Sequence, residues 1–409
     1  MKDLQKIKAQ DAHELNYHLP DAQVAIHPLA ERDLSKLLVW KDGQIADAAF
    51  KDLADYIPKD SLLVFNNTKV IHARLHFRKE TGAQIEIFCL DPLEPTDYQL
   101  AFQQRKTTVW NCMVGNLKKW KGERLTIRVA IGGEEVAFHA EKIARNETAV
   151  QVRFSWDNEK YDFASLIEAV GTLPIPPYLH RETEANDIER YQTVYSKEKG
   201  SVAAPTAGLH FTDDAFARLA AKNVSRAELT LHVGAGTFKP VQADTIGEHE
   251  MHAEQVVISK SFVQQLMRKQ GTLIAVGTTS IRSLESLYWL GVKMSVNPNL
   301  ATSDFDIPQW MPYEDELHIS AEQSLQAILN YMEAHSVEQL AFHTQIIIVP
   351  SYEFMLVQGM ITNFHQPQST LLLLISAFIG NDWKRVYAHA VENNYRFLSY
   401  GDSNLYLRG

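Results

Sequence analysis

Between residues 70 and 156 the chain reads VIHARLHF (70–77), AQIEIFCL (83–90), YQLAFQ (98–103), TVWNCMV (108–114), RLTIRVA (124–130), EVAFHA (135–140) and AVQVRFSW (149–156). Apolar and polar residues alternate through these runs, and Gly, Pro, Asp and Asn punctuate the gaps. A period of two belongs to a strand with one face buried. Short strands at regular spacing predict a small antiparallel barrel or sandwich.

On either side of this block the texture changes to helices alternating with strands. Residues 262–269 read as a helix leading into a strand at 272–276, then a TTS turn and a helix at 281–289, which is a βα unit. Residues 321–335 read as a helix, 346–349 as a strand, and 370–379 and 383–393 as two late helices. The polar, proline-containing stretch 296–316 reads as an exposed insertion, and the aromatic stretch 395–400 as core. An all-β block interrupting an α/β chain predicts an inserted β-barrel domain at residues 69–157. Residues 1–68 and 158–409 then form one discontinuous α/β domain around a mixed sheet.

With 409 residues, 45% of them hydrophobic, the chain can bury one large core or two ordinary ones. Cys89 and Cys112 make no disulfide framework and the N-terminal MKDLQKIKAQD lacks the apolar run of a signal peptide, so a cytoplasmic protein is expected. The longest apolar run, 371–380, is shorter than the roughly 18 residues that span a bilayer, and a buried helix is expected there. A net charge of −10 argues against indiscriminate nucleic-acid binding. Residues 69–128 nevertheless hold 11 Lys and Arg against 6 Asp and Glu, which makes this segment +5 and the remainder −15. Such a segment is either a solvated, lysine-decorated surface or one that meets phosphates.

Two loops carry the ligand-facing signals. SVAAPTAGLHF (201–211) combines small residues, a proline and His210 without either periodicity, and LTLHVGAGTF (229–238) runs through His232 into Gly234, Gly236 and Thr237. The second glycine word lacks the third glycine and the following acidic residue of a dinucleotide site, so NAD is not expected. EHEMHAE (248–254) sets His249 and His252 among carboxylates ending at Glu254; its spacing matches no zincin or finger, so acid/base chemistry is favoured over metal binding. Thr278, Thr279, Ser280 and Arg282 lie where a strand gives way to a helix, a position suited to a carboxylate, although ordinary N-capping explains the hydroxyls equally. Lys69, Arg74, Tyr178, Arg181, Tyr191 and Gln192 interleave cations, aromatics and an amide, a mixture that can clamp phosphates and stack on an unpaired base.

These words, with LVFNNTKVIHARL (63–75), PIPPYLHR (174–181), YQTVYS (191–196), VGTTSIRSLES (276–286), ITNFHQPQSTLLLL (361–374) and RFLSYGD (396–402), resemble the S-adenosylmethionine:tRNA ribosyltransferase-isomerase family. The resemblance implies an α/β domain carrying a small β-barrel. It also implies an enzyme that moves the ribosyl part of S-adenosylmethionine onto 7-aminomethyl-7-deazaguanine at the tRNA wobble position, giving epoxyqueuosine and releasing adenine and methionine. On that basis His210, His232, His252 and Glu254 are expected to transfer protons, and Gly208, Gly234, Gly236, Thr237, Thr279 and Arg282 to hold S-adenosylmethionine. Lys69, Arg74, Tyr178, Arg181, Tyr191 and Gln192 would face tRNA. S-adenosylmethionine is expected as co-substrate, with no resident cofactor or metal, no membrane partner, and a monomeric chain. Lys69 stands where the family more often has Arg, His72 where it has Pro, and Gln366 and Gln368 depart from it after His365, which leaves open a paralogue with a different acceptor. The rival readings are an S-adenosylmethionine-dependent RNA methyltransferase and a non-catalytic RNA binder.

Overall fold

The computed structural model describes residues 4–11, 14–146, 149–234, 243–314 and 317–408. Among these, a nine-stranded mixed sheet runs from edge to edge as Gln339–Thr344, Glu254–Ser259, Ser225–Leu231, Leu62–Asn66, Leu273–Val276, Gly359–Asn363, Ser403–Leu407, Lys36–Lys41 and Gln44–Ala49. The strands from Ser225–Leu231 through Gly359–Asn363 are mutually parallel. Leu62–Asn66, Leu273–Val276 and Gly359–Asn363 are buried along their whole length. Their near-continuous apolar sequences follow from cover on both faces.

The helix Thr278–Val296 leaves the end of Leu273–Val276 through Gly277, whose φ of +88° and ψ of 150° favour glycine. That conformation starts the helix directly at the strand end, so its first turn faces the crevice beyond the sheet. Farther along, Glu285 is fully buried, and its carboxylate accepts from the backbone N–H groups of Met355 (2.9 Å), Leu356 (3.1 Å) and Val357 (2.9 Å) and from the Tyr352 hydroxyl (2.9 Å). Burial pushes the Glu285 pKa up, and the four donors oppose that rise. One side chain thereby pins the segment 352–357 to the helix.

A six-stranded antiparallel sheet, in the order Arg74–Arg78, Gln84–Glu94, Thr107–Gly115, Val150–Trp156, Glu134–Arg145, Leu125–Ile131, curls until its outer strands meet and forms a nearly closed barrel. Trp110, Phe138 and Phe154 fill it, and helix Phe163–Val170 adds Phe163, Leu166 and Ile167 from outside the sheet. The fold is therefore the expected α/β structure with a large mixed sheet and a small antiparallel barrel.

Three local expectations are corrected. YQLAFQ is not a strand but the helix Tyr98–Phe102, capped by Asp97, whose side chain accepts from Leu100 N–H at 2.9 Å. Tyr98, Ala101 and Phe102 share its buried face, an i, i+3, i+4 spacing that the alternating runs around it obscure. Residues 346–349 lie beyond the end of strand Gln339–Thr344 and form no ladder; the Tyr313 hydroxyl instead donates to Ile347 C=O (3.1 Å) and accepts from Val349 N–H (3.0 Å). The stretch 296–316 is not merely exposed, because Phe305, Ile307 and Tyr313 are buried in the main core. Thr370–Ile379 is a buried helix, as expected, and among the described residues no helix is long and apolar enough to cross a membrane.

Replacing Glu285 with Gln preserves size but sets an N–H₂ group against backbone donors. The variant is expected to lose roughly 2–4 kcal/mol of unfolding free energy, read as a lower urea midpoint with an unchanged slope.

Candidate functional site

Beyond the carboxyl ends of the parallel strands lie two adjoining cavities of about 260 and about 100 Å³, which share Thr278, Thr279, Thr370 and Leu371 as walls. This is where open α/β sheets bind ligands. Gly234, His249, Glu250, His252, Glu254 and Arg282 line the larger; Tyr178, Tyr191, Thr206, Asn363 and His365 are among those lining the smaller.

The floor of the larger cavity is a buried ion pair. Glu254, on the strand next to the sheet edge, bonds Arg282 Nη1, and Arg282 Nε donates to the Ile346 carbonyl at 3.2 Å. Arg282 Nη2 and Thr279 Oγ1 are buried without a hydrogen-bond partner. Thr279 stands on the first turn of helix Thr278–Val296 and Arg282 at the start of the second, near an N-terminus that adds its own positive potential. Leaving such donors unmatched costs about 1–3 kcal/mol each, and a carboxylate in the cavity satisfies all three sources at once. Glu254 is thereby committed to orienting Arg282.

The opposite wall is the loop carrying His249 and His252. Gln309 brackets it: its Nε2 donates to His249 C=O at 2.7 Å and its Oε1 accepts from Met251 N–H at 2.9 Å, while Gln345 Nε2 donates to Met251 C=O at 3.1 Å. Burial and the neighbouring His252 lower the His249 pKa. The barrel contributes Asp91, which accepts from Asn111 Nδ2 at 2.7 Å. Its carboxyl is reached by solvent yet walled by protein, and that surrounding raises its pKa against the opposing influence of Asn111 and His252. Asp91 follows a register shift in strand Gln84–Glu94, a bulge that re-aims the side chain. Sequence reading missed both Asp91 and Gln309, since neither carries a local signal.

The queuosine biosynthesis protein family matches residues 12–406. An S-adenosylmethionine:tRNA ribosyltransferase-isomerase from Aromatoleum aromaticum is 38% identical over 394 residues, 95% of either chain. The chain belongs to this ribosyltransferase-isomerase family. A solved structure of an S-adenosylmethionine tRNA ribosyltransferase from Thermotoga maritima is 27% identical, covering 96% of this chain and 100% of that one with a TM-score of 0.46.

Of the residues singled out from sequence, the structure gathers Gly234, His252, Glu254, Thr279 and Arg282 in the larger cavity and Tyr178 and Tyr191 in the smaller. Gly236 and Thr237 lie outside the described residues. Gly208 faces Tyr195 instead, where a Cβ would lie 1.9 Å from the hydroxyl. His210 is buried with both nitrogens engaged: Asn363 Nδ2 donates to Nε2 at 3.1 Å, and Nδ1 meets Ser35 Oγ at 2.8 Å. Because Thr206 Oγ1 donates to Asn363 Oδ1 at 2.9 Å, the imidazole fixes the amide that lines the smaller cavity. His232 stacks on Tyr98 of the barrel with ring centroids 4.5 Å apart, its Nδ1 beside the Gly200 backbone without a well-formed hydrogen bond.

The expected RNA-facing set divides similarly. Arg181 forms a bidentate pair with Asp187 (2.6 and 2.8 Å), which also accepts from the Tyr400 hydroxyl. The Gln192 amide pairs with both backbone groups of Val70 (3.0 and 2.9 Å). Tyr191 is buried against Tyr400, its hydroxyl unpartnered, and Tyr178 bonds Ser399. Arg74 pairs with Glu86 at 3.3 Å. Lys69 lines a third cavity with Gln192.

Burial lowers the pKa of His210 and His232 to about 4 and that of His365 to about 3, from an ordinary 6.5. Between about pH 6.5 and 4 the unfolded chain binds protons at these positions that the folded chain refuses. Their contribution to stability is therefore complete above pH 6.5 and lost as pH falls. Urea unfolding across this window should show stability dropping with pH, and His232→Asn should flatten the dependence by about one proton; an unchanged slope would show that His232 takes up its proton as readily in the fold as in the unfolded chain.

Proposed function

We propose that this protein transfers and isomerises the ribosyl moiety of S-adenosylmethionine onto 7-aminomethyl-7-deazaguanine in the tRNA wobble position, yielding epoxyqueuosine-tRNA, adenine and methionine. The observation carrying the reading is the pair of unpartnered donors, Arg282 Nη2 and Thr279 Oγ1, at a helix N-terminus in the crevice. They suit the methionine carboxylate, and family membership names the donor. Gly234, with open space where a Cβ would stand, permits close approach of the ligand to backbone.

The chemistry needs a base for the 5′ C–H acidified by the sulfonium, an acid for the departing adenine, and exclusion of water. His252, which lines the larger cavity with Arg282, is our proton-transfer group; His249 lines the same cavity, and Asp91 lies near enough for the charge of His252 to act on it. His210 acts as a positioning residue for Asn363, Glu254 as one for Arg282, and His232 at the junction with the barrel. S-adenosylmethionine is a co-substrate and no resident cofactor enters the scheme. We further propose a cytoplasmic monomer in which residues 69–157 form the insertion that meets tRNA. Several barrel cations are paired, as in Arg124–Glu141 (3.2 Å) and Arg128–Glu135 (3.6 Å), whereas Lys118, Lys119 and Lys121 are exposed.

Incubation with S-adenosylmethionine and acceptor tRNA is expected to release adenine and methionine in step with tRNA modification; S-adenosylhomocysteine as product would identify a methyltransferase instead. Arg282→Met should weaken donor binding in calorimetry by roughly 10- to 100-fold. His252→Ala should lower turnover by about a hundredfold with donor affinity nearly kept. Lost donor affinity with kept turnover in His252→Ala would make it a binding residue.

A further inference from the structure

Lys69 and Lys199 are register partners on the parallel strand pair Thr68–Val70 and Glu198–Ser201. Like charges placed directly opposite destabilise a sheet, so their pairing calls for a reason. Both line a cavity of about 120 Å³ separate from the two already described, whose apolar part includes Ile71, Ile167 and Ile188. His72 stands on the same wall, where its Nδ1–H donates to the Glu168 carbonyl at 3.1 Å and leaves Nε2 as its remaining nitrogen. One carboxylate answers these bases: Glu168 is ion-paired to Lys199, which, with His72 and Lys69 adding, holds it below the usual carboxylate range. Lys69 has no direct ion pair among the described residues.

An isoleucine-lined recess beside two lysines and a histidine matches a flat apolar ring joined to an anion. From Lys199 the chain runs on to Ala203, in the wall of the smaller substrate cavity. Four residues of extended chain reach roughly 13 Å, a distance that a few nucleotides of single-stranded RNA cover. We infer that this cavity holds a second, unpaired nucleotide of the RNA substrate, its base against Ile167 and Ile188 and its phosphate between Lys69 and Lys199. The inference rests on the tRNA reading above and adds to it a recognition site outside the reacting cavities.

The test measures binding of an anticodon stem-loop RNA carrying 7-aminomethyl-7-deazaguanine to the full chain over a salt series, alongside S-adenosylmethionine calorimetry. The K69Q/K199Q double variant should bind RNA about tenfold more weakly, with the slope of log K against log salt shallower by about 1.4, roughly 0.7 for each lysine on single-stranded RNA, and donor affinity unchanged. Glu168→Gln, which removes the competing carboxylate, should tighten RNA binding about threefold, a gain that misfolding cannot mimic. Wild-type affinity and slope in K69Q/K199Q, with no gain in Glu168→Gln, would overturn the inference while leaving the tRNA reading intact. Failure of the unmodified protein to bind the stem-loop would overturn both.

Discussion

The buried pair between Glu254 and Arg282 joins the elements that make the site. Glu254 belongs to a strand beside the sheet edge, Arg282 to the N-terminal part of the helix that leaves the sheet centre, and Arg282 Nε also holds the Ile346 carbonyl. Removing two charges from water is costly, and a buried ion pair is weak evidence of stability by itself. What this one achieves is orientation: two of the three guanidinium nitrogens are fixed by protein, so Nη2 is held facing the cavity. The adjoining Thr279 hydroxyl is likewise unspent. A site whose donors are preset pays little reorganisation when a carboxylate arrives.

The rest of the cleft is assembled by polar side chains reaching over long sequence distances. Gln309 and Gln345 satisfy the backbone of the loop between His249 and Met251, so a loop without a ladder of its own keeps one conformation. Asp91 brings a carboxyl from the barrel to the neighbourhood of His252, and Tyr98 stacks on His232 at the same junction. The barrel thus packs against the cleft's surroundings through Tyr98 and Asp91 as well as carrying basic residues.

Buried imidazoles divide the histidines by environment. His210 is enclosed by Ser35, Asn363 and the Phe50 ring, and desolvation keeps it neutral, a state that leaves Nε2 free to accept from Asn363 Nδ2. His252 is exposed to the cavity and retains the freedom that proton transfer needs. The same residue type is enclosed by framework contacts in one place and open to the cavity in the other.

Sequence alone determined the antiparallel block, the α/β surround, helices read at 281–289, 321–335 and 370–379, and the family, because period-two and helical patterns and contiguous words are local properties of the chain. It also singled out Thr279 and Arg282, which line the larger cavity, since a strand-to-helix turn is a local signal. It read the Tyr98–Phe102 helix as a strand, because five residues hold too little period to outweigh their alternating neighbours. Only the tertiary structure decided that Arg181 and Gln192 are consumed by Asp187 and Val70, that Gly208 makes room for Tyr195, that Gln309 holds the loop of His249, and that Asp91 comes near His252. Burial and hydrogen-bond partnership decide whether a polar side chain is available to a ligand, and both are set by residues far away in the sequence.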